Sequence, residues 1–169
     1  VKLGPAPLVF LAIWLFLMVA GRSRLLRDPG TFWHTTVGER ILQQGFFQGD
    51  PFTFSHAQQR WVPHQWLGEI AMALVHRLSG FDGFVLLAAS ILAAVFTSLS
   101  LRLRRTGLQP ILVASLVGIA LAVSSGHFHV RPLLMTIVGL AVVQGVLCRI
   151  ERTPAAITSL YWLVPLFVL

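Results

Sequence analysis

The stretch FVLLAASILAAVFTSLSL, residues 84–101, has no charged side chain and is long enough to cross a lipid bilayer as a helix. Four more apolar runs, most of which approach this length, cover residues 8–20, 111–123, 133–148 and 160–169. The chain of 169 residues is 56% hydrophobic and 11% charged, whereas a soluble domain carries about 25% charged residues. The composition therefore indicates a membrane protein with four spans and part of a fifth.

These runs predict an all-α fold, namely a polytopic transmembrane helix bundle that forms a single membrane domain over residues 1–169. The fifth run reaches the last residue without a polar flank, so we expect the natural protein to continue with further helices. Cys148 is the single cysteine, which excludes an internal disulfide and any cysteine metal cluster. We predict no metal site from the residue spacing.

Arginines decide the predicted orientation in the membrane. The short loops after the second and fourth apolar runs contain clusters of arginines, at Arg102, Arg104, Arg105, Arg149 and Arg152. Because short cytoplasmic loops are rich in basic residues, both loops are predicted to be cytoplasmic. The N-terminus is then cytoplasmic, and residues 22–83 form an extracytoplasmic region of a multi-pass protein in a bacterial inner membrane. Membrane topology and lipid head groups explain the net charge of +7 better than a nucleic acid partner.

A second group of arginines, Arg22, Arg24 and Arg27, lies on the predicted outer side, where basic residues are less expected. Two interpretations stay open. The side chains could extend to phospholipid head groups. Alternatively, at least one could bind the phosphate of a lipid-linked substrate, because the guanidinium fork matches phosphate oxygens.

The extracytoplasmic region contains two predicted amphipathic helices that lie along the membrane interface. In the first, Trp33, Val37 and Ile41 recur at four-residue spacing, and Gly45 is a typical C-terminal cap. The second begins after Pro63 and ends at residues 79–80. Tryptophans in both segments suit the depth of the interface.

Three motifs in this region resemble those of a known family. They are DPGTFWHTTVGERIL at residues 28–42, GDPFTF at 49–54 and WVPHQWLGE at 61–69. Their order resembles a group of bacterial multispanning proteins with the pattern DPDxWWHxxxGxxIL, DPFSF and WxxHEWL. That group is similar to the C-type glycosyltransferase superfamily, whose members take sugars from polyprenyl-phosphate donors. The resemblance covers roughly residues 28–153.

The resemblance implies a reaction site on the outer side of the membrane. Asp28 matches the acidic residue that acts as general base on the acceptor hydroxyl, or that helps to hold a metal ion. The phosphate leaving group needs a cation, which Arg27, Arg131 or a divalent cation could supply. His34 and His64 match the two motif histidines, which could bind substrate or metal, or join the two loop helices by hydrogen bonds. The resemblance also implies a polyprenyl-phosphate sugar as substrate.

The sequence departs from the family pattern at two acidic positions, which are Gly30 and Gln65 here. Structural interpretations therefore stand beside the functional ones. Asp28 and Asp50 each precede a proline and could simply initiate turns or cap helices. Glu69 is predicted to lie on a solvated helix face. Trp33 could be a membrane anchor rather than a platform for a sugar.

Two functions from different classes remain open. The first is a glycosyltransferase-like membrane enzyme with Asp28 as general base and Arg27, Trp33, His34, His64 and Arg131 as substrate-binding residues. The second is a non-catalytic accessory subunit that packs within a larger bacterial membrane complex of the photosynthetic, respiratory or transport type. The lost acidic positions favour the second function. The expected partners are the lipid bilayer and, in the second case, other membrane subunits.

Overall fold

The computed structural model describes residues 4–57 and 59–164 and is built from α-helices. They are α1 (Pro5–Val19), α2 (Arg22–Leu25), α3 (Gly30–Gln44), α4 (Trp66–Arg105), α5 (Pro110–Ser124) and α6 (Leu133–Arg152), with 3-10 helices at Ser125–His127 and Pro154–Leu163. The described ranges contain no strand beyond an isolated antiparallel bridge between Gly49 and Arg60. The all-α prediction is confirmed.

Three helices are long and apolar enough to cross a membrane. They are α4, α5 together with the turn that follows it, and α6. The first apolar run forms α1, which is apolar but only 15 residues long. The predicted fifth span begins within the 3-10 helix Pro154–Leu163, and its residues 165–169 lie outside the described part of the chain. The structure thus supports a transmembrane protein with three candidate spans.

The second predicted amphipathic helix and the apolar run of residues 84–101 are both part of α4. The two parts meet at Gly80, whose φ of +60° is non-helical. Glycine adopts this left-handed backbone without the steric cost that a Cβ atom brings. The predicted helix end at this glycine is therefore a break between residues 66–79, which we call the outer segment after the predicted orientation, and a candidate spanning segment, residues 81–105.

The spanning segment of α4 is the centre of the bundle. Phe84, Ala88 and Leu92 are at most 1% exposed, and α1, α5 and α6 all pack against this helix. Small residues at helical spacing let neighbouring helices approach closely, which is how helices associate where lipid removes the hydrophobic driving force. By contrast, only 11% of the apolar window of α6 is buried within the chain. The outward faces of these helices suit contact with lipid.

The outer segment of α4 packs against α3, and Gly38 is their closest point of approach. A Cβ atom at Gly38 would lie 1.9 Å from the backbone oxygen of Glu69. Val37 and Ile41 are buried in the same interface, as their four-residue spacing predicts. Gly45 ends α3 with a φ of +77°, and its N–H donates to the carbonyl oxygen of Ile41 at 2.9 Å. The predicted first helix and its glycine cap are confirmed.

Candidate functional site

Two segments that are far apart in the sequence meet at the end of the bundle that the sequence predicts to be the outer one. The backbone N–H of Val130 donates to the carbonyl oxygen of Leu25 at 3.0 Å. The buried Thr31 hydroxyl then donates to the carbonyl oxygen of Val130 at 2.8 Å. These bonds hold the turn between α5 and α6, residues 128–132, against residues 25–31. We call this contact region the outer junction.

The outer junction contains an ion pair between Asp28 and Arg131. Nη2 of the guanidinium donates to Oδ1 of the carboxylate, and Nε lies against Oδ2, so the arginine faces both carboxylate oxygens. The Asp28 side chain is 7% exposed, whereas that of Arg131 is 43% exposed. The pair therefore presents its cation, rather than its anion, to the surroundings.

Asp28 also begins α3, because its Oδ1 accepts the backbone N–H of Gly30 at 2.9 Å. Asp28 thus acts as a turn and cap residue, as the Asp-Pro pair suggests. A Cβ atom at Gly30 would lie 2.7 Å from Arg131 Nε. Gly30 thus leaves the space through which Arg131 reaches Asp28.

The surroundings of Asp28 act on its pKa in opposite directions. Burial alone would raise the pKa of this carboxyl, but the hydrogen bond from Arg131, the Gly30 N–H and the positive charge of Arg131 together lower it below its ordinary value. Asp28 is therefore an ionised carboxylate at neutral pH. While Arg131 holds it, Asp28 is a weaker proton acceptor than a free aspartate.

This lowered pKa predicts how stability depends on pH. A carboxyl whose pKa is lower in the folded than in the unfolded state stabilises the fold above its unfolded pKa and loses this effect as the pH falls. We expect the difference in melting temperature between the parent protein and the Asp28→Asn variant to be constant above about pH 5. It should shrink below the ordinary carboxyl pKa of 3.8.

Asp82→Asn is the matched control for this pH series. Asp82 pairs with Arg22 on the surface, with side-chain exposures of 77% and 59%, and such exposed pairs contribute little to stability. The control should differ little from the parent protein at any pH. A difference for Asp28→Asn that does not change on acidification would show that the carboxylate charge does not stabilise the outer junction.

Glu69 is buried, so its prediction as a solvated helix face is wrong. It is 4% exposed, and its Oε1 lies 2.9 Å from His34 Nδ1. The close approach of α3 and α4 at Gly38 encloses this carboxylate. Pro132 lies against Gly68 on the other side, where a Cβ atom would be 2.7 Å from the proline ring. His34 therefore joins α3 to the outer segment of α4. Gly68, the neighbour of Glu69, contacts Pro132, which follows Arg131 in the chain.

Trp33 belongs to an aromatic cluster rather than to the outer junction. Its ring centroid lies 4.8 Å from that of Phe52 and 5.7 Å from that of Trp61. Arg40 lies over the Phe52 ring at 5.6 Å. Trp33 remains 37% exposed. The cluster fixes the connection between α3 and α4 and presents one tryptophan at the surface.

The other predicted site residues lie apart from the Asp28–Arg131 pair. Arg27 and His64 are exposed, and within residues 4–57 and 59–164 neither side chain has a hydrogen-bond partner. Asp50 accepts hydrogen bonds from the Thr53 hydroxyl and from the Phe52 N–H, which hold its pKa below the ordinary value. Asp50 is thus a turn residue, as its proline neighbour indicates.

An apolar groove of about 680 Å³ lies between α1 and α5. Its walls are mostly apolar side chains, with one arginine: Phe16, Leu17, Arg24, Leu25, Leu121 and Phe128. Leu25 and Phe128 are each three residues from a member of the ion pair. The hydrogen bond between Val130 and Leu25 brings these two walls together. The groove consequently ends beside the outer junction.

The residues of the outer junction do not fit a divalent cation. Both oxygens of Asp28 face Arg131, and the positive guanidinium opposes a second cation. Among the residues that the structure describes, no three His, Cys, Asp or Glu side chains come together as metal ligands.

No protein-family model, curated protein or solved structure matches this chain. Sequence reasoning found Asp28 and Arg131 but missed Thr31, Val130 and Glu69. Thr31 and Glu69 lie in the motifs at residues 28–42 and 61–69, but neither position gives a sign of burial, and Val130 lies in no motif.

Proposed function

We propose that the chain is part of a membrane glycosyltransferase of the C type, which transfers a sugar from a polyprenyl-phosphate donor at the outer junction. The observation that supports this proposal is an apolar groove whose walls include Leu25 and Phe128 of the outer junction, where a buried carboxylate pairs with a half-exposed arginine. A lipid-linked sugar phosphate has the same order of parts: a long apolar tail, an anion and a reactive carbon. The groove suits the apolar tail, and Arg131 suits the anion. Asp28 would activate the acceptor hydroxyl that attacks the reactive carbon.

Donor binding would use two of these features. The polyprenyl tail lies in the groove between α1 and α5, and Arg24 on the groove wall provides a positive charge near its outer end. The phosphate contacts the exposed face of Arg131, whose fork matches phosphate oxygens as well as carboxylate oxygens. His34 positions the outer helices through Glu69 and needs no contact with the donor.

The reaction would consist of one displacement at the anomeric carbon. The acceptor hydroxyl oxygen forms a bond to this carbon while the bond from carbon to phosphate oxygen breaks. The hydroxyl proton passes to Asp28, and the electron pair of the broken bond stays on the phosphate, which Arg131 neutralises. When Arg131 turns to the phosphate, burial still raises the pKa of Asp28 but the arginine no longer lowers it, so its basicity increases.

We infer that the outer junction faces away from the cytoplasm of a bacterial cell and that α1 begins on the cytoplasmic side of the inner membrane. The clustered arginines at the C-terminal ends of α4 and α6 support this orientation. They lie at the opposite ends of those helices from the outer junction.

A second candidate function rests on the exposed apolar faces of α5 and α6. Only 11% of the apolar window of each helix is buried within the chain. Helices of a larger membrane complex would cover such faces, so an accessory subunit accounts for them as well as lipid does. In that case the Asp28–Arg131 pair serves only to hold the outer junction together.

A transfer assay distinguishes the two functions. The natural full-length protein is reconstituted in liposomes with a panel of radiolabelled undecaprenyl-phosphate hexoses and with lipid extract from its native membrane as acceptor. The enzyme proposal predicts that label moves from the donor lipid to a new product, and that undecaprenyl phosphate co-purifies with the protein. Absence of both, together with recovery of the chain at fixed stoichiometry with other subunits, would favour the accessory function.

A further inference from the structure

A second cleft lies at the C-terminal ends of α4 and α6, away from the outer junction. It has a volume of about 840 Å³, which lies within the range of roughly 300–1,000 Å³ typical of small-molecule sites. One wall is apolar and includes Val95, Leu99 and Ala141. The opening is basic, with four arginines and one acid: Arg102, Arg105, Arg149, Arg152 and Glu151.

The structure makes room for one arginine inside this cleft. A Cβ atom at Gly145 would lie 2.8 Å from Arg102 Nη2, so a side chain at this position would displace the guanidinium. Arg102 also points its Nη2 towards the carbonyl oxygen of Ala141, at 3.4 Å. The side chain thus lies between the two helices instead of extending into solvent. Arginines that only set the orientation in the membrane must lie in a cytoplasmic loop, but they need no space between two helices.

Within the residues that the structure describes, ion pairs do not neutralise the arginines of the cleft. In the described ranges, the side chains that form ion pairs with carboxylates are Arg22, His34, Arg77 and Arg131, and none of these lines the cleft. Glu151 is the single acid among the lining residues. The four guanidinium groups therefore leave a net charge of +3 beside an apolar wall.

We propose that this cleft binds an anionic phospholipid with two phosphate groups, a lipid of the cardiolipin type. Paired arginines from α4 and α6 match two phosphates by charge and by forked hydrogen bonding. The apolar wall takes the acyl chains, which a free phosphate compound lacks. Basic pockets between transmembrane helices on the cytoplasmic side are typical sites for such head groups. This inference does not depend on the proposed glycosyl transfer.

The test measures lipid binding by the full-length protein in nanodiscs that contain phosphatidylcholine and a titrated amount of cardiolipin. Each arginine beside an anionic head group contributes about a factor of five in affinity. The double variant Arg102→Gln with Arg149→Gln should therefore bind cardiolipin about 30-fold more weakly. Arg105→Gln, an exposed change that leaves the helix contact intact, should lose about fivefold.

Arg104→Gln is the matched control, because Arg104 neighbours Arg105 on the same exposed helix end but does not line the cleft. It should change the affinity less than about twofold. An equal loss for Arg104→Gln and Arg105→Gln would show a diffuse surface charge and overturn the proposal. Equal binding of phosphatidylglycerol, or displacement of cardiolipin by inorganic pyrophosphate, would also overturn it. Retention of cardiolipin in excess pyrophosphate supports it.

Discussion

Asp28→Asn is expected to lower the rate of sugar transfer by about 10²–10⁴-fold, the usual contribution of a positioned proton acceptor. The asparagine keeps an oxygen that can accept the Gly30 N–H, so α3 still has its cap. It cannot take a proton from the acceptor hydroxyl. The measurement is the initial rate of label transfer in liposomes at saturating donor.

Asp82→Asn is the control for this loss. Asp82 undergoes the same chemical change, but it pairs with Arg22 on the surface and lies outside the outer junction. It should transfer sugar at the parent rate. If Asp28→Asn retains the parent rate while the parent protein is active, Asp28 is not the proton acceptor and its role is structural.

Gly38→Leu should prevent the two outer helices from packing. The added Cβ atom would lie 1.9 Å from the backbone oxygen of Glu69. Backbone cannot move aside as a flexible side chain can, so we expect a loss of about 3 kcal/mol or more in the free energy of unfolding. Gly38→Ala also adds the clashing Cβ atom and should lose part of this free energy of unfolding. Thermal unfolding in detergent, followed by tryptophan fluorescence, measures both variants.

Gly118→Leu is the matched control for this packing prediction. Gly118 lies in α5, and a Cβ atom there meets no other atom within 4 Å. The melting temperature of this variant should stay close to that of the parent protein. If Gly38→Leu unfolds at the parent temperature, α3 and the outer segment of α4 do not pack at this distance.

The features that the sequence predicted are those set by local pattern. The apolar run of residues 84–101 forms the central helix. Val37 and Ile41, four residues apart, are buried on the face of α3 that packs against α4. Gly45 ends its helix because a positive φ is needed there. Each of these depends on residues a few positions apart, where helical geometry alone relates sequence to structure.

The features that the sequence did not predict depend on contacts between distant segments. Asp28 and Arg131 are 103 positions apart, and His34 and Glu69 are 35 apart. Glu69 looks exposed by its helical position, but the close approach at Gly38 covers it. Helical periodicity shows which face of α3 is apolar without showing how near its partner comes. The pairing of both charged residues at the outer junction therefore needed the structure.

The central claim is that the Asp28–Arg131 pair is a reaction site and more than a structural contact. The double variant Asp28→Asn with Arg131→Gln tests it, because removing both charges avoids the buried unpaired carboxylate that Arg131→Gln alone would leave. We predict that this variant unfolds at a higher temperature than Arg131→Gln alone, and that its transfer rate stays at least about 100-fold below that of the parent protein. Recovery of transfer together with stability would contradict the account, since a purely structural pair can be replaced by a neutral one.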